Sequence, residues 1–135
     1  MRQLDAVASR FLTALAADTN LLGAPEDQKP VMVDLDDTIV QVHGYQKQGA
    51  AFGYSGVRGL NALLATVSTD TAAPVVVAQR LRKGNCGSPR GVVRLVRDAL
   101  ATTRRTHLAG REVLVRADSA FYSRARVAAA FSAGA

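Results

Sequence analysis

One stretch, P-V-M-V-D-L-D-D-T-I-V-Q-V at residues 30–42, constrains the fold more than any other part of the chain. It is rich in β-branched residues, and apolar and polar side chains alternate along its first half, which predicts a strand. The odd-numbered residues up to Leu35 then point to one face, whereas Asp34 and Asp36 point to the other. Two carboxylates on one strand face repel each other and resist burial. They therefore need a cation or a solvated edge.

The other segments predict a single α/β domain, because 135 residues with 48% hydrophobic side chains suit one core and not two. We expect an amphipathic helix within residues 1–23, followed by a linker at 24–30. The apolar stripe of this helix comprises Leu4, Val7, Ala8, Phe11, Leu12 and Leu15. A first strand then begins at residue 31 and is followed by a Gly-rich loop and two further strands, which form an antiparallel meander with the first. A second helix follows, with Ser88 as its N-cap and Pro89 at its first position. A fourth strand that ends at Asp118 and a final helix complete the predicted order.

The charge of the chain is unevenly distributed. Residues 80–135 hold twelve basic and three acidic side chains, whereas residues 1–79 hold five basic and eight acidic ones, and 14 of the 17 basic residues are Arg. A positive half-molecule rich in Arg favours a polyanionic partner, nucleic acid first. The candidate phosphate contacts are Lys83, Arg90, Arg94, Arg97 and Arg104.

The same composition excludes several classes of protein. A lone cysteine, Cys86, rules out a disulfide framework and a cysteine-based metal cluster. The sequence has no stretch of about 18 uninterrupted apolar residues, so it predicts no transmembrane helix. Charged residues near the start argue against a signal peptide. We therefore expect a cytoplasmic protein without a membrane partner.

A second acidic site, R-A-D-S around Asp118, ends the predicted fourth strand. If that strand lies beside the first, neighbouring strands are ~4.8 Å apart, and Asp118 would approach Asp36. Carboxylate oxygens are the ligands that Mg²⁺ prefers, and paired ions activate the attacking oxygen and stabilise the leaving one in phosphodiester chemistry. The alternative is a solvated strand end with ordinary surface aspartates.

At these residues the sequence resembles the DDE transposases of bacterial insertion sequences, most closely those of family thirteen-eighty. The matching elements occur in family order over roughly residues 30–135. They are D-L-D-D-T (34–38), H-G-Y-Q (43–46), R-G-L-N-A-L-L-A (58–65), L-R-K-G-N-C-G-S (81–88) and V-R-A-D-S-A-F-Y-S (115–123).

The resemblance implies an RNase H-like core with strand order 3-2-1-4, which places the first and fourth strands side by side. It implies Asp36 and Asp118 as catalytic metal ligands, with Asp34 as a less certain one, for Mg²⁺ or Mn²⁺. The family's third acid, a Glu on a later helix, has no counterpart here, since Glu26 and Glu112 do not lie in the matching position.

The family function implied is metal-dependent cleavage of an insertion sequence's DNA ends and strand transfer into a target. The partners would be double-stranded DNA, both terminal inverted repeats and target, and the complete enzyme could be an oligomer. Residues 31–135 would then be a truncated catalytic domain, inactive alone, and residues 1–23 a remnant of the N-terminal region.

Two alternatives stay open at the level of sequence. D-L-D-D-T also resembles the first motif of haloacid-dehalogenase-type phosphatases, in which Asp34 would be the nucleophile and Asp36 the general acid/base. That superfamily also needs a later Lys, for which Lys83 is available, and a closing pair of acids, of which R-A-D-S supplies one. The second alternative is a non-catalytic DNA-binding remnant built on the same core.

Overall fold

The computed structural model of the protein describes residues 2–24, 28–44 and 46–121, together with residues 124, 128 and 132. Its helices and strands follow the order that the sequence predicts, and one additional short strand lies inside the Gly-rich loop. They are α1 (Arg2–Asp18), β1 (Val31–Gln41), β2 (Ala51–Phe52), β3 (Arg58–Thr69), β4 (Ala72–Lys83), α2 (Val92–Thr103), β5 (Val113–Ala117) and a 3₁₀ turn (Ser119–Phe121).

The strands form one sheet in the order β4-β3-β1-β5, with β2 beside the first residues of β3. β1, β3 and β4 are an antiparallel meander, and β5 pairs with β1 in parallel. A parallel partner requires a crossover connection, which α2 supplies. The mixed α/β architecture and the strand order confirm the RNase H-like class.

The hydrophobic core lies on one face of this sheet. The alternating pattern of β3 places Leu63, Ala65 and Val67 on that face, next to Val33 and Leu35 of β1. The helix α2 covers them with an apolar side, as the sequence predicts, comprising Val92, Leu95, Val96, Ala99 and Leu100.

The opposite face of the sheet is open in the part of the chain that the structure describes. It carries Asp34 and Asp36 of β1 and the even-numbered residues of β5. Large apolar side chains there stay exposed, among them Leu81 at 43% and Leu114 at 45%. The sheet therefore has one apolar, covered face and one mixed face that bears the carboxylates.

The predicted apolar stripe of α1 is buried only in part. Leu12 of that stripe is buried, whereas Leu4 and Phe11 are 70% and 67% exposed, and Ala16, outside the predicted stripe, is buried as well. The helix lies against β4 and is joined to α2 by a hydrogen bond of 2.9 Å between the hydroxyls of Ser9 and Thr102. A helix at the margin of a core buries a narrower stripe than its sequence offers.

The predicted start of α2 at Ser88 and Pro89 is also wrong. The helix begins at Val92, and its N-cap is Gly91, whose φ of 85° suits a glycine. The preceding carbonyls of Ser88 and Arg90 accept hydrogen bonds from Arg82, which holds this segment as a turn. Most of the predicted final helix, and part of the 24–30 linker, lie outside the described residues. None of the described helices is both long and apolar enough to span a membrane.

Candidate active site at the end of the parallel strand pair

The register of β1 against β5 brings the two predicted catalytic aspartates to the same place. The parallel ladder pairs Asp34 with Arg116 and Leu35 with Ala117. Asp36 and Asp118 are the residues that follow directly on the two neighbouring segments. Adjacent strands are ~4.8 Å apart. Asp118 follows directly after the carboxyl end of β5, which agrees with the sequence prediction.

Hydrogen bonds from neighbouring residues orient both carboxylates. The backbone N–H of Asp37 donates to Asp36 Oδ1 at 2.8 Å. The hydroxyl of Ser119 donates to Asp118 Oδ1 at 2.9 Å. This hydroxyl, together with the backbone N–H groups of Ala120 and Ser119, lowers the pKa of Asp118 below its usual value. Asp118 is thus a carboxylate at neutral pH.

Asp34 has a different environment from Asp36, although the two share a strand face. Its Oδ1 accepts a hydrogen bond from Arg116 Nε at 2.5 Å, an ion pair across the parallel ladder. The same contact raises the pKa of Arg116 above its usual value. The guanidinium neutralises Asp34 and thereby leaves Asp36 as the unpaired member of the strand's two carboxylates on this face.

A buried polar cluster that the sequence analysis did not identify lies on the other side of β1. Arg82 Nη2 forms an ion pair of 2.8 Å with Asp37 Oδ2, and their side chains are only 7% and 20% exposed. Asn61 joins both, since its Nδ2 donates to Asp37 Oδ2 at 3.0 Å and its Oδ1 accepts from Arg82 Nε at 2.8 Å. The sequence carried one signal of this cluster. Asp37 and Asn61 are polar residues at positions where the alternation of each strand places side chains on the apolar face of the sheet.

The predicted DNA-binding residues lie mainly on the helical side of the molecule. Arg94 and Arg97 are on the exposed side of α2, and Arg104 directly follows that helix. Arg90 lies in the turn before α2. Lys83, at the end of β4, is paired with Leu60 and so shares the open face of the sheet with Asp36.

Comparison with known families decides which of the sequence interpretations applies. A family model described as "Transposase DDE domain group 1" matches residues 3–134. The chain belongs to the DDE transposase family. Comparison with curated proteins and with solved structures gives no match. A role in DNA transposition follows from the family, and the phosphatase alternative is not favoured.

The acids of this transposase domain partly fit a divalent cation. Asp36 and Asp118 supply two carboxylates whose side chains are not paired with a described basic residue, and oxygen donors suit Mg²⁺. Among the described residues no group of three or more His, Cys, Asp or Glu side chains could hold a metal ion. Glu112 precedes β5, so it lies at the opposite end of that strand from Asp118, roughly 20 Å away at 3.3 Å per residue.

Proposed function

We propose that this chain carries two of the three metal-ligating acids of a transposase of insertion-sequence family thirteen-eighty. Asp36 and Asp118 are the proposed ligands for Mg²⁺ or Mn²⁺, and the register of β1 against β5 is the observation that carries the proposal. When bound, such ions would activate the attacking oxygen and stabilise the leaving oxygen in phosphodiester cleavage and strand transfer.

The residues of the chain have distinct tasks in this proposal. Asp36 is held by the Asp37 amide and Asp118 by Ser119, so both carboxylates are oriented before a cation arrives. Asp34 is proposed as a minor contributor at most, because Arg116 already pairs with it. The proposed substrates are the terminal inverted repeats and the target DNA, in the cytoplasm.

The geometry also bears on activity. Glu112 is remote from the pair and Asp34 is paired with Arg116, so the described residues offer no third acid that completes a metal site with Asp36 and Asp118. A misplacement of about 1 Å at a reacting group already costs ~100-fold in rate. We therefore expect the 135 residues alone to give no nicking or transfer of DNA that carries the element's ends, with Mg²⁺ or Mn²⁺, assayed on end-labelled duplexes.

Metal binding tests the proposal without requiring activity. Mn²⁺ binding, measured from the electron paramagnetic resonance signal of the free ion, should weaken at least about tenfold in Asp36→Asn and in Asp118→Asn. The matched control is Asp70→Asn, an exposed aspartate paired with Lys29 at 2.8 Å, which should bind Mn²⁺ like the wild type. Unchanged binding in both site variants would reject the metal site.

The pH dependence of binding follows from the same residues. Because the pKa of Asp118 is lowered, its metal-competent carboxylate is present from neutral pH downward until the pH falls through that lowered value. Mn²⁺ binding should therefore persist at pH 5. The remaining alternatives have their own signatures: phosphate-ester turnover abolished by Asp34→Asn would establish the phosphatase, and DNA binding without Mn²⁺ binding would establish a non-catalytic remnant.

A further inference from the structure

The guanidinium of Arg82 makes an unusually complete set of contacts. Besides Asp37 and Asn61, it binds the turn before α2: its Nη1 donates to the carbonyls of Ser88 at 3.0 Å and Arg90 at 2.7 Å, and more weakly to that of Gly87 at 3.3 Å. A planar fork with five N–H donors can serve partners in several directions at once, which the point-like ammonium of Lys cannot.

The contacts of Arg82 join the acidic end of β1 to a basic segment. On one side, Arg82 holds the carboxylate of Asp37, whose backbone N–H in turn orients Asp36. On the other side, it holds the turn at 84–91. Arg90 lies within this turn and Lys83 directly precedes it, and both residues are exposed.

Burial of the pair makes this connection stiff. With 7% of the Arg82 side chain exposed, water competes little for its donors, and without Arg82 the amide oxygen of Asn61, a residue only 5% exposed, would lose its hydrogen-bond partner. Because Arg82 holds the carbonyls of Ser88 and Arg90, the residues before Gly91 do not join α2, and the helix begins at Val92.

From these contacts we infer that Arg82 is a positioning residue that fixes the basic turn at 84–91 relative to the carboxylate pair. A DNA phosphate bound by Arg90 is thereby held at a set distance from Asp36 and from Lys83, which the end of β4 holds in place. This inference rests on the proposed function, since it assumes that the chain binds duplex DNA.

A double-mutant cycle on DNA binding tests the inference. Binding of a fluorescent 20-base-pair duplex is measured by anisotropy over a range of salt concentrations, at a temperature where circular dichroism shows each variant folded. In the wild-type background, Lys83→Ala and Arg90→Ala should each weaken binding about threefold to tenfold and lower the salt slope by about 1. In the Arg82→Lys background Arg90→Ala should cost less than about twofold, because the turn is no longer held in place, whereas Lys83→Ala should keep its full cost, because the pairing of β4 with β3 holds Lys83.

Two controls separate positioning from a general loss of structure. Arg97→Ala, on α2, should weaken binding equally in both backgrounds. Arg80→Lys makes the same exchange two residues earlier on β4, where Arg80 pairs with Asp98 at 2.5 Å, and should leave the effects of Lys83→Ala and Arg90→Ala unchanged. If Arg82→Lys does not fold, Asp37→Asn replaces it, with a smaller coupling of the same sign.

The outcomes distinguish the two proposals. Normal wild-type binding with fully additive effects of Arg82→Lys, Lys83→Ala and Arg90→Ala rejects the positioning role and leaves the proposed function standing. Absence of duplex binding by the wild-type chain at low salt rejects DNA binding itself, and the positioning role with it. Non-additivity of Arg82→Lys with Arg90→Ala, and not with Lys83→Ala, supports both.

Discussion

Arg116 governs the charge around the two catalytic candidates, because it is the cation that faces Asp34 across the parallel ladder. Its side chain is 70% exposed, so solvent screens the ion pair, which contributes little to stability. Its effect on a bound cation is larger, since a positive charge beside a metal site opposes binding.

At this scale we predict that Arg116→Gln tightens Mn²⁺ binding by roughly threefold to tenfold, because one nearby positive charge is removed and Asp34 is released. Mn²⁺ binding is again measured from the electron paramagnetic resonance signal of the free ion. A matched control is Arg58→Gln, on β3 and away from β5, which should change the affinity less than about twofold. Weaker binding in Arg116→Gln would instead mean that the guanidinium orients the acids.

The junction of β4 with β2 and β3 depends on the absence of a side chain at Gly84. Its backbone N–H donates to the carbonyl of Gly49 at 3.0 Å. A Cβ added there would overlap the carbonyl oxygens of Gly59 and Ala51, which belong to paired strands and cannot rotate away as a side chain could.

For this element we predict that Gly84→Ala lowers the free energy of unfolding by about 1–3 kcal/mol, through overpacking of backbone. Urea denaturation followed by circular dichroism measures the change, since the chain has no Trp. Gly87→Ala is the matched control, because the nearest atom to its added Cβ is Pro89 Cδ at 3.8 Å. Equal losses in the two variants would show that the effect is not steric.

The whole molecule separates its acids from most of its exposed arginines. Asp34 and Asp36 lie on the open face of the sheet, whereas α2, which bears Arg94 and Arg97, covers the other face. A sheet and a helix layer therefore lie between the two groups. A straight duplex resting on the carboxylates cannot reach the outer side of α2 as well.

Nonspecific DNA binding should depend on the exposed arginines of α2. The variant with both Arg94→Ala and Arg97→Ala should bind duplex DNA more weakly, with a salt slope reduced by about 2, because two phosphate contacts and their counterion release are lost. Asp36→Asn should not weaken binding in the absence of metal, and Lys29→Ala, at the far end of the sheet, should change the affinity less than about twofold. Wild-type behaviour of the double variant would make the arginines a solvated surface only.

Local patterns in the sequence were enough to predict much of the fold. The alternation in residues 31–36 predicts β1 and the shared face of Asp34 and Asp36, because successive strand residues point to opposite sides whatever the partners are. The proximity of Asp36 to Asp118 also follows from the sequence, but only through the resemblance to a family with a known strand order. The metal ligands themselves remain predictions.

Only the tertiary structure decided which residues of β4 face the core. Ala65 pairs with Ala78 but Thr66 pairs with Val76, so Val77 is an extra residue, a β-bulge, and the two faces of the strand exchange beyond it. The bulge turns Arg82 inward to Asp37 and leaves Leu81 43% exposed, the reverse of what unbroken alternation from Val75 predicts. A bulge arises from the fit between two strands, and one strand's own sequence does not specify that fit.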